Sequence, residues 1–350
     1  MIERRKSRVV KAGKVKIGGN NPITVQSMLN IPAEDCEGNV RQAKELEQAG
    51  CQIIRLTVPG KEAVKTLYAV KCAVSIPVVA DIHFDYRCAL ESVAAGADKI
   101  RINPGNIGDE DKVRAVADAC RLNGVPIRIG VNSGSLEKEL LEKYGSPTPE
   151  AMAESAMRHI ALLEKYDFND IVVSIKSSDV QKMTAAYRLV AQQCRYPLHL
   201  GVTEAGTKNM AALKSAVGIG SLLLDGIGDT IRVSMTANPV EEVKTGFDIL
   251  KAAGIKQDCP EIISCPTCGR TKINLIDLAD RVEKALANVH KPIKVAVMGC
   301  VVNGPGEARE ADIGVAGGDG CGVIFKHGEV LKKVAEEDIA ATLLEEIEKM

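Results

Sequence analysis

The chain has 350 residues, a formal net charge of −1, 45% hydrophobic and 26% charged residues, and no tryptophan. That is the balance of an ordinary globular protein with ample core, and it gives no bulk sign of a nucleic-acid or membrane partner. No stretch approaches the ~20 apolar residues of a membrane span, and the basic start is not followed by an apolar run of signal-peptide length.

Aromatic residues make up 3% of the chain, so the core rests on Ile, Val, Leu and Ala. Such residues suit parallel strands buried on both faces. Eight short β-type runs alternate with helical patterns: Ile23–Ser27, Gln52–Val58, Pro77–His83, Lys99–Asn103, Pro126–Asn132, Asp170–Lys176, Leu198–Thr203 and Thr230–Met235. Between them, Val113, Val116, Ala117 and Cys120 follow helical spacing, as do Val180, Met183, Tyr187, Val190 and Cys194. Gly50, Gly96 and Gly124 sit where a helix would end in a left-handed turn. Eight βα units predict a (β/α)8 TIM barrel over residues 1–256. A doubly wound open sheet is the alternative, but its Gly-rich first turn is missing.

Four of the runs share one pattern: Ile54-Arg55-Leu56, Ile100-Arg101-Ile102, Ile127-Arg128-Ile129 and Ile231-Arg232-Val233. Side chains alternate faces along a strand, so the aliphatic flanks pack outward and each Arg points into the barrel. Thr57, Asn103, Asn132 and Ser234 follow on the same face. The third run adds Asp81 and His83, the sixth Ser174 and Lys176, and the seventh His199 and Thr203, with Glu204 just past its end. Ion pairs plugging the barrel would explain one such Arg. They do not explain four Arg and a Lys when Asp81 and Glu204 are the evident inward counter-charges. Two like charges ~7 Å apart repel by about 2 kcal/mol at an effective dielectric near 20. A polyanionic ligand at the C-terminal ends of the strands would relieve that cost, and a diphosphate or bisphosphate fits five cations better than one carboxylate does.

After Gly254 the character changes, predicting a smaller α/β domain over residues 257–350. Cys265-Pro-Thr-Cys268 is a Cys-x-x-Cys knuckle, and Cys300 lies in a second Gly/Pro-rich turn, Met298–Glu307. Three cysteines in such turns predict an iron–sulfur or zinc site, with Cys259, Cys321, His290, His327 and Glu307 all open as a fourth ligand. The remaining cysteines, 36, 51, 72, 88, 120 and 194, read as small core residues. Eleven cysteines, an odd number and mostly scattered through helical patterns, argue against a secreted disulfide framework and for a reducing cytoplasm. The Gly317–Gly322 run reads as a hairpin turn rather than a phosphate loop, and residues 328–350 as an amphipathic helical region.

Several segments resemble one family, 4-hydroxy-3-methylbut-2-enyl diphosphate synthase of the non-mevalonate isoprenoid pathway. They are Val25–Met28, Ile100–Gly105, Gly201–Gly206, Gly226–Ser234, Ser264–Arg270 and Met298–Glu307, and the resemblance spans essentially the whole chain in its shorter bacterial form. It implies a reductive ring opening of 2-C-methyl-D-erythritol 2,4-cyclodiphosphate with loss of water. It implies a [4Fe–4S] cluster on Cys265, Cys268, Cys300 and Glu307, the last an exchangeable oxygen ligand. Arg55, Arg101, Arg128, Lys176, Arg232 and Ser234 would hold the diphosphate, His83, Asn103, Asn132 and His199 would line the site, and Glu204 would be the acid/base. Flavodoxin or ferredoxin would donate electrons to a homodimer. Two readings compete: a non-redox diphosphate-binding barrel synthase with a structural zinc knuckle, and an iron–sulfur sensor or relay without a substrate.

Overall fold

The structure is a computed structural model, and it describes residues 2–256, 259–287, 289, 291–301 and 310–350. The chain divides into two compact units, Met1–Ala253 and Gly254–Met350.

The first unit opens with a small antiparallel hairpin, β1 (Val10–Ala12) and β2 (Val15–Ile17). Eight parallel strands follow: β3 (Thr24–Met28), β4 (Ile53–Thr57), β5 (Val78–Asp81), β6 (Lys99–Ile102), β7 (Ile127–Asn132), β8 (Ile171–Lys176), β9 (His199–Leu200) and β10 (Thr230–Ile231). Their order is β8-β7-β6-β5-β4-β3-β10-β9. A parallel bridge between Val173 and Leu198 joins β8 to β9, bringing the two ends of the sheet together as a barrel. Every strand run anticipated from the sequence is present. The last two are shorter than expected, because ladder pairing stops at Leu200 and Ile231. The backbone continues at the rim, where Arg232 N–H still donates to the Leu200 carbonyl at 2.9 Å.

The helices start on short polar caps, whose side-chain oxygens take up N–H groups that have no partner within the helix. Asp109 accepts from Lys112 N, Asp179 from Lys182 N, Thr148 from Ala151 N and Asn238 from Val240 N. Gly50, Gly96 and Gly124 follow helix ends at φ 88°, 87° and 63°, conformations that need glycine. Val113, Val116, Ala117 and Cys120 are buried as their spacing predicted. Cys51 and Cys88 are buried too, whereas Cys36 and Cys194 are half-buried and Cys72 is exposed. The core reading was wrong for Cys72, which sits in the last turn of Lys61–Ala73 on the solvent side.

The hairpin packs Ala12 and Ile17 against Ile53 and Val79 at the N-terminal end of the barrel. The basic residues before it form a strap fastened on Asp229, which is 2% exposed. Asp229 accepts from Ser7 Oγ at 2.7 Å and from Leu198 N at 2.9 Å, and it pairs with Arg4 at 3.3 Å and Arg5 at 3.6 Å. One buried carboxylate thus ties the chain start to β9.

In the second unit five strands form one sheet: β11 (Glu261–Ser264), β12 (Lys294–Met298), β13 (Ile313–Gly318), β14 (Cys321–Lys326) and β15 (Glu329–Ala335). The first three are parallel and the last two antiparallel. Helices Leu275–Leu286 and Ile339–Glu348 bury Leu278, Val282, Leu343 and Ile347 against Val295, Val297, Val315 and Ile324 on one face. The Gly-rich run is a hairpin turn pairing Gly318 with Cys321. The helical reading of residues 328–350 holds only from Ile339 onward. Its first half is β15, because His327 and Gly328 both have positive φ (49° and 82°) and fold the chain back in a two-residue reversal. Among the described residues, no helix is long and apolar enough to cross a membrane.

Replacing Asp229 by Asn should destabilise the protein by about 2–4 kcal/mol, since it strands two arginines and a buried amide. Urea unfolding measures this, and an unchanged midpoint would mean that the strap does not depend on the carboxylate.

Candidate functional site

Residues 53, 55 and 57 of β4 alternate with the outward-packed Ile54 and Leu56, and the same rhythm runs through β5 to β8. Beyond Ile53 and Val79, which pack on the hairpin, the inner face of these strands is mainly polar. Arg55 is 3% exposed, Arg101 4% and Arg128 fully buried. Lys176 is half-buried at the end of β8, and no carboxylate lies within 4 Å of it among the described residues. Strand register sets Arg101 beside Asp81 on one side and beside Arg128 on the other.

One carboxylate serves two guanidiniums. Asp81 meets Arg101 at 3.0 Å and Arg55 at 3.6 Å. Burial disfavours its charged form, but Arg55, Arg101 and Arg128 outweigh that and hold the carboxyl below its usual range. Arg55 also donates to Met28 Sδ from Nε at 3.2 Å and from Nη2 at 2.7 Å, an acceptor without charge. Burial lowers the Arg55 pKa to about 10, and Arg232 and Arg101 push in the same direction against Asp81. For Arg128 and Lys176 burial comes first, then the neighbouring cations, and both are driven well below their ordinary values. None of the three guanidinium nitrogens of Arg128 has a hydrogen-bond partner among the described residues.

Arg232 is handled differently from the sequence expectation. It pairs in fork fashion with Glu242, at 3.1 Å from Nη2 to Oε1 and 3.3 Å from Nε to Oε2. Glu242, 4% exposed, also accepts from Ser27 Oγ and Met235 N. It belongs to the first turn of helix Pro239–Ala252, so strand alternation could not reveal it. Glu204, expected as a second inward counter-charge, is exposed beyond β9 and takes part in no ion pair among the described residues. Its φ of 49° is a left-handed conformation that costs a non-glycine residue about 1 kcal/mol or more. Such strain at a rim carboxylate is a functional signal the sequence did not carry. Arg232 and Glu242 border a cavity of about 570 Å³ with Met28, Thr57 and Met235.

The other residues singled out from the sequence divide into three groups. His199 is buried, and neither ring nitrogen has a partner among the described residues. Asn132 and Ser234 are half-buried at the rim, and His83 is exposed beside Phe84. Asn103 and Ser174 are buried but already engaged. Asn103 Oδ1 accepts from Gly105 N at 3.1 Å, and Ser174 donates to the Ile129 carbonyl at 3.0 Å. Sequence reading missed Lys99, Gln26, Met28 and Glu242. Lys99 was legible, since it lies two residues before Arg101 and therefore on the same face. Gly130 was legible only in part: an added Cβ there would sit 2.5 Å from Arg101 Nε, so glycine makes room for that guanidinium.

In the second unit Cys265 follows β11 and Cys300 follows β12, neighbouring parallel strands that pair Ser264 with Val297. Their C-terminal ends therefore bring the two thiols to one end of the sheet. Gly299 N–H donates to Cys265 Sγ at 3.3 Å. Cys268 is exposed, and its N–H donates to Thr271 Oγ1 at 3.1 Å. The Arg270 backbone N–H and then its guanidinium pull the Cys268 thiol below its usual range. The same guanidinium senses Cys300 and Cys265, so the three sulfurs face one region. Among the remaining candidates, Cys259 precedes β11 and His327 follows β14, both at the opposite end of the sheet. Cys321 lies at the same end as the three thiols. His290 and Glu307 lie outside the described residues. Among the described residues, no three His, Cys, Asp or Glu side chains are gathered closely enough to hold a single metal ion.

A family model described as the GcpE TIM-barrel domain matches residues 7–247, and one described as the GcpE protein C-terminal domain matches residues 261–349. The chain belongs to the GcpE family. A curated relative from Caldanaerobacter subterraneus subsp. tengcongensis, named 4-hydroxy-3-methylbut-2-en-1-yl diphosphate synthase (flavodoxin), is 58% identical over 351 residues, covering 100% of this chain and 99% of the relative. A relative of the same name from Fusobacterium nucleatum subsp. nucleatum is 57% identical over 346 residues, covering 99% and 97%. Among solved structures, a truncated 3-deoxy-D-arabino-heptulosonate 7-phosphate synthase from Thermotoga maritima aligns with a TM-score of 0.52 at 15% identity, over 72% of this chain and 95% of that one. That likeness is one of fold alone. The GcpE barrel and C-terminal models fall on either side of the boundary between the two compact units.

In this GcpE chain Gly130→Ala should displace Arg101 and weaken inorganic pyrophosphate binding by about tenfold or more, an overpacking cost of about 1–3 kcal/mol. Calorimetry measures it. Unchanged affinity with an intact fold would show that Arg101 need not keep this position.

Proposed function

We propose that the chain reductively opens 2-C-methyl-D-erythritol 2,4-cyclodiphosphate to 4-hydroxy-3-methylbut-2-enyl diphosphate, taking up two electrons and releasing water. The observation that carries the reading is the inner face of the barrel, where buried cations outnumber carboxylates and Arg128 lacks a hydrogen-bond partner among the described residues. A diphosphate supplies the missing negative charge, and Arg55, Arg101, Arg128, Lys176 and Arg232 are the groups we assign to it, with Ser234 at the rim. Fixing the two phosphates orients the carbon skeleton toward Glu204, His83 and Asn132, so remote binding energy serves the reacting carbon. We assign Glu204 as the proton donor. His199 and Asn103 complete the lining, Ser174 bracing β7 against β8.

The second unit suits an iron–sulfur cluster. Three thiols share one end of the sheet, a backbone N–H already donates to one sulfur, and Arg270 favours the thiolate form of Cys268. We assign Cys265, Cys268 and Cys300 to a [4Fe–4S] cluster, with Glu307 as the fourth ligand. When bound, such a cluster supplies electrons one at a time and a Lewis-acidic iron. Flavodoxin, which the relatives' names carry, is the electron donor we assign, with ferredoxin as its substitute. The zinc-knuckle synthase finds no support among relatives that share one synthase name along their whole length. A sensor or relay without a substrate would not need the buried cations.

We place the protein in the cytoplasm, in keeping with eleven free cysteines. We also expect a homodimer. Helix Lys208–Leu224 leaves Met210, Leu213, Val217 and Leu224 exposed along one side, an apolar face suited to a second copy.

Protein prepared anaerobically should be brown with a broad visible absorption, and a colourless zinc protein would overturn the cluster assignment. Arg101→Ala should keep that spectrum and lose most turnover; full activity would leave the cationic barrel without a role. Glu204→Gln should lower kcat by about 10²–10⁴ while sparing diphosphate affinity. A normal kcat would remove Glu204 as the proton donor.

A further inference from the structure

Below the rim, the barrel holds a deeper set of polar groups that, His199 apart, the assigned roles do not use. Lys99 begins β6 one pleat before Arg101, and register sets it beside Val79 of β5. It is fully buried, and its Nζ has no hydrogen-bond partner among the described residues. The Gln26 amide, the Thr24 and Thr230 hydroxyls and both His199 ring nitrogens share that condition.

The titratable and charged groups on the inner face around Lys99 come from every other strand but one. They are Arg55 on β4, Asp81 on β5, Arg101 on β6, Arg128 on β7, Lys176 on β8, His199 on β9 and Arg232 after β10. The inner face of β3 carries Thr24, Gln26 and Met28, all neutral. Asp81 is engaged by Arg55 and Arg101, and Glu242 by Arg232. Asp98, next to Lys99 in sequence, is bound to Lys71 and to Val78 N. Among the described residues no carboxylate is left for Lys99.

We propose that Lys99 is a reserve cation of the barrel: uncharged while no anion occupies the interior, and protonated when a diphosphate enters, so that anion binding takes up a proton from solvent. The inference rests on reading the barrel as a diphosphate site. Its basis is a chemical difference among the buried cations. A guanidinium keeps its proton in a protein, so Arg128 must bear the repulsion of Arg55 and Arg101. An amine can shed its proton. Burial first, then Arg128 and Arg55, drive Lys99 well below its ordinary value. His199 is pushed the same way by burial and by Arg128 and Lys99. Lysine is ordinarily the more basic of the two by about four units, so we assign the proton to Lys99. Free enzyme thereby avoids one buried charge, and loaded enzyme gains one more partner for its anion. Proton uptake also makes the anion bind less tightly as pH rises.

The test is calorimetric titration of the full chain with inorganic pyrophosphate in buffers of different ionisation enthalpy at one pH. The ligand's own protonation change cancels between proteins. Wild type should take up about one proton more per bound anion than Lys99→Met or Lys99→Arg. Lys99→Arg, permanently charged, should melt lower than wild type without ligand and gain more on adding pyrophosphate. Without ligand, wild type should gain stability relative to Lys99→Met as pH rises toward the ordinary lysine value, because the unfolded lysine binds the proton that the folded one lacks. Equal proton uptake in wild type and both variants would overturn the proposal while leaving the diphosphate reading in place. No binding heat with wild type would remove both.

Discussion

Asp81 is the sole carboxylate on the inner face of the described barrel strands, and it is shared between Arg55 at 3.6 Å and Arg101 at 3.0 Å. Everything else in the interior follows from that shortage of negative charge. Arg55 turns Nε and Nη2 to a thioether and leaves Nη1 without a hydrogen-bond partner among the described residues, Arg128 has no such partner among them either, and the amines of Lys99 and Lys176 are pressed toward neutrality. Burying unpaired cations costs several kcal/mol each, a cost a protein retains where a ligand will repay it.

The scaffold is organised to sustain that imbalance. Outward Ile, Val and Leu of the strands pack under the helices, and the hairpin closes one end of the barrel with Ala12 and Ile17. The Tyr187 hydroxyl donates to the His199 carbonyl and accepts from Ile175 N, tying β8 to β9 where their ladder is thinnest. Asp229 does the same for the chain start. Gly130 leaves the volume that Arg101 occupies. Positions are thus set by rigid elements, while the charges that face inward are left for an anion to complete.

The second unit applies the same logic to sulfur. Two parallel strands end side by side, and the turns after them carry Cys265, Cys268 and Cys300 with backbone N–H groups close by. Gly299 suits that turn, since an added Cβ would crowd the side chains of Thr271 at 3.0 Å and Leu275 at 3.1 Å. Thiolates need nearby positive charge or N–H donors, and Arg270 with the Gly299 amide provides both.

Much of this was legible in the chain alone. Strand alternation is local, so Ile-Arg-Leu and Ile-Arg-Ile placed Arg55 and Arg101 on the inner face without any knowledge of neighbours. Cys-x-x-Cys and the Gly-rich hairpin are likewise local signals. Contacts between residues distant in sequence were not legible. Glu242 reaches Arg232 and Ser27 from the start of a helix, Asp229 reaches Ser7 across more than two hundred residues, and Asn103 spends its side-chain oxygen on Gly105. The β15 strand hid behind a helical pattern because its identity depends on pairing with β14 and on two positive φ angles at the turn. Sequence by itself determined which residues face inward, since backbone geometry imposes a period of two. Tertiary structure alone decided which of those charges are neutralised, because a partner's distance depends on how separate elements pack.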